Sequence, residues 1–137
     1  MLLSVLLVAA LVFASNSIFG MLRISKVDGR YTPLELGVNG DQISVSFFPA
    51  VFEYDGTGTL RRSFKNDFLS VNETGQLTVG KTPQNGFVLR SGKNPKKMKL
   101  FLNETKNFYL CEDDLILLFL TCRDARKVEI TFEDALR

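Results

Sequence analysis

The chain is expected to fold as an all-β protein, a small closed barrel of β-trefoil type favoured over a β-sandwich. Three observations carry this expectation. Short apolar or alternating segments recur every 8–12 residues or so. Glycine, asparagine, aspartate and proline bound them. No stretch keeps helical spacing between recognisable caps.

Taken in order, the first strand is expected over 19–24 (Phe-Gly-Met-Leu-Arg-Ile), closed by the Asp28-Gly29 turn. Next come 34–36 (Leu-Glu-Leu), ended by Asn39-Gly40, and 43–47 (Ile-Ser-Val-Ser-Phe), which reads with period two. Pro49-Ala50-Val51-Phe52 reads as core with proline at a strand start, and 51–54 is the strand. Asp55-Gly56 turns the chain into 59–63, which holds Arg61-Arg62. A dibasic processing site there is disfavoured by its place inside a strand. Strands at 68–71 and 77–79 follow, then Asn85-Gly86 and the strands 87–90, 99–102 and 108–111. These turn dipeptides accept positive φ and mark hairpins or tight loops. Residues 112–120 could form a short helix, but β-branched and aromatic content between two cysteines favours a hairpin with a strand at 115–121. The strand 127–132 closes the set.

A threefold repetition accompanies these twelve segments. Phe52 lies 33 residues after Phe19, and Phe87 lies 35 after Phe52. Three units of about 35–40 residues with four short strands each would make a trefoil.

Residues 1–14 carry no charge and almost no polarity. They are too short for a bilayer helix, which needs about 20 apolar residues, and they suit the apolar region of a secretory signal peptide. Small residues at 12–14 and 15–17 offer cleavage sites. The expected organisation is a signal peptide over 1–17 and one all-β domain over 18–137, with an uncleaved anchor as the alternative. The C-terminal Glu133-Asp134-Ala135-Leu136-Arg137 lacks the hydrophobic tail of a lipid-anchor signal. A formal charge of +2 gives no reason to expect nucleic acid. In an oxidising compartment Cys111 and Cys122 are expected to pair, two separate buried thiols being the alternative. Asn72-Glu73-Thr74 and Asn103-Glu104-Thr105 are N-glycosylation sequons, so Asn72 and Asn103 are expected to carry glycans on exposed turns.

The chain has no histidine, which removes the commonest general base and most zinc sites. Glu112-Asp113-Asp114 is the densest acidic run, but neighbours in a tight turn do not face each other across a substrate as a glycosidase pair must. Glu35, Glu53 and Asp67 stand alone and read as surface residues. No catalytic residue, metal or cofactor is expected. Arg90, Lys93, Lys96, Lys97 and Lys99 form a stretch with five cations and no acid. It could contact an acidic polysaccharide, a phosphomannan or an anionic lipid surface, or simply be a solvated loop. Tyr31, Tyr54 and Tyr109 are candidate sugar platforms, although such residues are more often half-buried strand residues.

The C-terminal half carries a resemblance. Gly75-Gln76-Leu77-Thr78-Val79-Gly80, then Phe87-Val88-Leu89, then Asn107-Phe108-Tyr109-Leu110-Cys111, lead to Cys122 and Val128-Glu129-Ile130. This resembles the cysteine-containing C-terminal domain of fungal Pir-type cell-wall mannoproteins and the related small secreted wall proteins of filamentous fungi. The opening Phe19-Gly20-Met21-Leu22-Arg23-Ile24, with Leu34-Glu35-Leu36, is similar to the start of the filamentous-fungal members. Gly40-Asp41-Gln42-Ile43 matches only a fragment of the glutamine repeat through which Pir proteins link to glucan, and only the last cysteine pair of that domain is present. The resemblance implies a secreted, non-catalytic, glycosylated cell-wall or surface protein. Its partner would be β-glucan, mannan or another surface glycan, with no membrane span. The alternative is a secreted trefoil binding module, lectin- or effector-like, acting on a glycan or protein. An exposed apolar or aromatic surface at the barrel mouth favours the module; a uniformly polar surface favours the wall role.

Overall fold

The structure, a computed structural model, describes residues 17–134. The expected signal peptide therefore lies outside the described residues, apart from Ser17. The described chain is all β: β1 (Ile18–Val27), β2 (Arg30–Asn39), β3 (Gln42–Val45), β4 (Val51–Tyr54), β5 (Leu60–Arg62), β6 (Phe68–Val71), β7 (Leu77–Gly80), β8 (Phe87–Ser91), β9 (Lys97–Leu102), β10 (Phe108–Leu110), β11 (Ile116–Leu117) and β12 (Arg126–Asp134). Each expected segment is one of these twelve strands. Pairing runs β1-β2-β3-β7-β6-β5-β4 and returns to β1, so seven antiparallel strands close a small barrel. The remaining strands extend it through β12, which pairs with β1, β9 and β10, while β8 pairs with β9 and β11 with β10. Closure removes the unpaired edges that make open sheets prone to association. No helix among the described residues is long and apolar enough to cross a membrane.

β1 organises the barrel. One edge pairs with β12 from Gly20 to Val27; the other pairs with β4 over Ile18–Met21 and with β2 from Arg23 onward. Pairing on both edges carries β1 past the apolar residues that reveal it in sequence, through Ser25 and Lys26. A register shift between Ile24 and Lys26 marks a bulge there. Asp28 (φ 50°) and Gly29 (φ 82°) then take the two positive-φ positions of a tight hairpin turn. β11 is shorter than its apolar run because the chain after Leu117 bends away in successive turns.

The core follows a recurring register. Phe52 pairs with Arg62 and Tyr54 with Leu60 between β4 and β5. Phe87 pairs with Leu102 and Leu89 with Leu100 between β8 and β9. Ile130 pairs with Ile24 and Phe132 with Leu22 between β12 and β1. Leu22, Leu60 and Leu100, each four strands after the last, are fully buried, as are Phe52, Phe87 and Ile130 within about 1%. A buried side chain of this size stabilises by about 1.5–3 kcal/mol. Hairpins β2–β3, β6–β7 and β10–β11 bury Ile43, Leu77 and Ile116. They are linked to one another at Gln42–Thr78, Ser44–Leu115 and Gln76–Leu117. Phe19 has no place in this series: it is half-buried and lines a surface cleft.

The carboxylates that stand alone in sequence find arginines in the fold. Arg23 bonds Glu35, Arg61 bonds Glu53, and Arg62 grips Asp67 through Nε (3.0 Å) and a terminal nitrogen (2.7 Å). Arg61 holds the Glu53 carboxyl below its ordinary range, and the Thr57 hydroxyl and amide do the same for Asp55. A carboxyl whose pKa falls on folding binds protons more tightly in the unfolded chain. Its contribution is therefore complete above the ordinary carboxylate range and lost as pH falls through the folded value. Glu53→Gln is expected to flatten the acid limb of a stability-versus-pH curve below about pH 4.5. At neutral pH it should cost less than about 1 kcal/mol, since the pair is partly solvated. Urea unfolding from pH 3 to 7 checks this; an unchanged acid limb would remove Glu53 from the account.

Candidate functional site

A cleft of about 600 Å³ opens between the β3–β4 connection and the β5–β6 turn. β3 leaves its ladder at Val45, and Ser46 N donates to Glu35 O at 3.0 Å. Ser46 Oγ then accepts from Phe48 N at 3.1 Å, a hydroxyl-closed turn. Ala50 N returns to Leu36 O at 3.3 Å. The loop lies so close to β2 that a Cβ at Gly37 would stand 2.4 Å from Phe48 O. On the other side, Ser63 N donates to Val51 O (2.8 Å), Lys65 N to Arg62 O (3.2 Å) and Arg62 N to Asp67 O (2.9 Å). At the tip of this turn Phe64 adopts φ 62°, an uncommon conformation for a bulky residue.

These two turns hold Phe47, Phe48 and Phe64 at 96%, 84% and 99% exposure. Phe48 and Phe64 line the cleft with Phe19, Val38, Ala50 and Val51, while Arg62, Ser63 and Lys65 bring polar groups to it. Arg62 takes the register position filled by Ile24 and Leu102 elsewhere, and turns its guanidinium to Asp67. Lys65 makes no ion pair among the described residues. Leaving phenylalanines in water forgoes about 1.5–3 kcal/mol each. Phe48 and Phe64 meet at the cleft, and Phe47 is exposed in the same loop as Phe48. Two adjacent phenylalanines before Pro49 and one phenylalanine amid Arg-Arg-Ser-Phe-Lys-Asn-Asp are the signals that sequence reasoning passed over.

The candidate sugar platforms lie elsewhere. Tyr31 is exposed on β2, and Tyr109 is half-buried on β10. Tyr54 is half-buried on β4, donates to Phe87 O at 3.4 Å, and has its pKa raised by burial. The basic stretch forms the β8–β9 hairpin. Arg90 stacks on the Phe101 ring at 4.5 Å, and Lys99 lies 3.3 Å from Glu129, so neither is a free cation. Lys93 and Lys96 are exposed at the connecting turn, and Lys97 is exposed at the start of β9.

Both sequon asparagines are exposed on turns. Asn72 Oδ1 accepts from Thr74 N, Thr74 Oγ1 and Gln76 N at 2.8–3.0 Å. Asn103 (φ 48°) packs where a side chain at Gly86 would collide with its Oδ1. Cys111 and Cys122 are joined in a disulfide with Cα atoms 5.7 Å apart. Glu112, Asp113 and Asp114 lie exposed in the turn it brackets. No cluster of metal-ligating side chains occurs among the described residues. Comparison with protein families, curated proteins and solved structures finds no match for this chain.

Proposed function

We propose that this protein is a secreted, non-catalytic binding module that associates with polysaccharide at a cell surface or wall, using the phenylalanine face as its contact. The carrying observation is that Phe48 and Phe64, held almost fully in solvent by two tight turns, line one apolar cleft, with Phe47 exposed in the same loop as Phe48. Ring faces stack on the apolar faces of sugars, and the adjacent Lys65 and Arg62 supply hydrogen-bonding groups for hydroxyls. The surface is thus not uniformly polar, which favours a binding module over a purely structural wall component. Two exposed sequons and a disulfide fit an extracellular glycoprotein. Ion pairing of Glu35, Glu53 and Asp67 with arginines supports a non-catalytic role, because an acid–base pair needs carboxyls free to face a substrate. We read the barrel as a β-trefoil. Supporting this are the thrice-repeated strand register, the three buried leucines four strands apart, and the three interlinked hairpins.

Co-sedimentation with insoluble β-glucan and with mannan tests the reading. The wild-type protein is expected to be retained by one of them. The triple variant Phe47→Ala/Phe48→Ala/Phe64→Ala is expected to lose at least about tenfold in affinity, from aromatic contacts of about 0.5–1.5 kcal/mol each. Its thermal stability should be unchanged, since the three side chains are in solvent. Retention of the triple variant at wild-type level, or no retention of the wild type on either polymer, would overturn the proposal.

A further inference from the structure

On the reading of the chain as a secreted glycoprotein, we propose that the glycan on Asn72 folds back over the protein, its first N-acetylglucosamine stacking on the Phe119 ring and covering Leu120. Phe119 and Leu120 are 56% and 67% exposed. They lie just before Cys122, which the disulfide holds to Cys111 at the end of β10. Neither belongs to the phenylalanine face, whose cleft is lined by other residues. Such rings are left in water at a cost unless something covers them.

The fold brings these two residues to the first sequon. Asn72 opens the β6–β7 turn: Gly75 N donates to Asn72 O at 3.0 Å, and Asn72 N to Gln76 O at 3.0 Å. The segment after β11 lies against that turn. Leu118 N donates to Gly75 O at 2.8 Å, and Gln76 bridges Leu117. The Phe119 ring rests on Gly75, which is buried: a Cβ there would stand 2.5 and 2.7 Å from Phe119 Cδ2 and Cε2. Asn72 and Gly75 are the first and last residues of one turn, so their Cα atoms lie within about 7 Å of each other.

The Asn72 side chain is held ready to present a sugar there. Its Oδ1 accepts from Thr74 N, Thr74 Oγ1 and Gln76 N at 2.8–3.0 Å, which fixes the plane of the carboxamide. All of these bonds use the oxygen. Nδ2, the atom a glycan is joined to, makes one long contact among the described residues, to Gln76 Oε1 at 3.5 Å. Glycosylation replaces one of its two hydrogens and leaves the other to keep that contact. The turn therefore retains its cap when the sugar is added. Nδ2 also faces Gln76, whose bridge partner Leu117 precedes Leu118 and Phe119. A pyranose presents C–H groups, and the face of an aromatic ring is negative, so the two attract. Asn103 turns its Oδ1 onto Gly86 instead, and its sequon serves as the comparison.

The full chain is expressed through a eukaryotic secretory pathway, and peptide masses read the occupancy of Asn72 and Asn103. Thr105→Ala then removes the second sequon, so that Asn72 alone carries a glycan. Endoglycosidase trims it to a single N-acetylglucosamine, and amidase release gives the bare protein, with the same aspartate at position 72 in every background. The single sugar is expected to raise the melting temperature by about 2–6 °C. In Phe119→Ala, compared with its own bare form, at least half of that rise should vanish. Should Phe119→Ala fail to fold, proton spectra of the trimmed wild-type protein replace it: the Phe119 ring current should shift sugar protons upfield, with cross-relaxation between the two rings. Occupancy of Asn103 with Asn72 bare overturns this proposal alone; both sites bare overturns the secreted-glycoprotein reading with it. A rise unchanged by Phe119→Ala, unshifted sugar protons, or sedimentation of the glycosylated protein as a dimer that Phe119→Ala dissolves would each overturn it as well.

Discussion

Truncating Phe132 to alanine is expected to destabilise the protein by about 3–5 kcal/mol, the range for a fully buried aromatic. Phe132 is wholly buried on β12, opposite Leu22 on one side and Met98 on the other. Its ring rests over Gly20, where an added Cβ would stand 2.4 Å from Cε1 and 2.6 Å from Cζ. Gly20→Ala is therefore expected to cost about 1–3 kcal/mol through overpacking. The same Cβ would also meet Glu133 O at 2.6 Å, a backbone atom that cannot rotate away. The double variant removes the ring clash but not the backbone clash. It should be less destabilised than the sum of the singles by about 1 kcal/mol, without returning to the Phe132→Ala value. Urea unfolding of the three variants at neutral pH measures this. Strict additivity would mean that the ring does not rest on Gly20.

The strands were legible because turn chemistry and apolar alternation agree in this chain. Asp28-Gly29, Asn39-Gly40 and Asp55-Gly56 each separate consecutive strands, and Asn85-Gly86 precedes β8, with the glycines at positive φ as expected. Strand lengths were less legible. Lys26 and Arg30 are exposed and polar, and only cross-strand pairing keeps them extended. The repeat was half legible. Phe52 and Phe87 occupy matching positions, but the third is Ile130, not Phe19. A repeat held by burial conserves the place of an apolar side chain, not its identity, so phenylalanine spacing alone misleads.

The site was legible only in hindsight. Composition counts twelve phenylalanines as core material, yet Phe47, Phe48 and Phe64 are in solvent while Phe52, Phe87, Phe108 and Phe132 are fully buried. What separates the two groups is local. The buried ones sit on paired strands, whereas the exposed ones sit in turns closed by Ser46 and the Arg62–Asp67 pair.

Removing the disulfide, by Cys111→Ser/Cys122→Ser or by reduction, is expected to cost about 3 kcal/mol and to lower the melting temperature by roughly 10–15 °C. The bond closes a sequence separation of 11 around a segment with little ladder of its own, since β11 is only Ile116–Leu117. Inside it, Cys111 N donates to Leu115 O (2.9 Å) and Asp114 N to Cys111 O (3.0 Å). Outward ties are the two-residue pairing with β10, Glu112 N to Arg123 O at 3.3 Å, Val45 N to Asp114 O at 3.2 Å, Leu118 N to Gly75 O at 2.8 Å, and Phe119 covering Gly75 so closely that a Cβ there would stand 2.5 Å from its ring. Yet this segment delivers Ile116, fully buried, to the core beneath the three hairpins. Loss of the bond should therefore first release a local unit. Amides of Leu115–Leu118 should exchange early in the reduced protein, while those of β1 and β12 wait for global unfolding. If the reduced protein melts within about 3 °C of the oxidised one, Ile116 and Phe119 hold the hairpin unaided and the disulfide contributes little to the fold. If all amides exchange together, the third hairpin is integral to a single cooperative barrel, and the bond stabilises the whole domain instead of one loop.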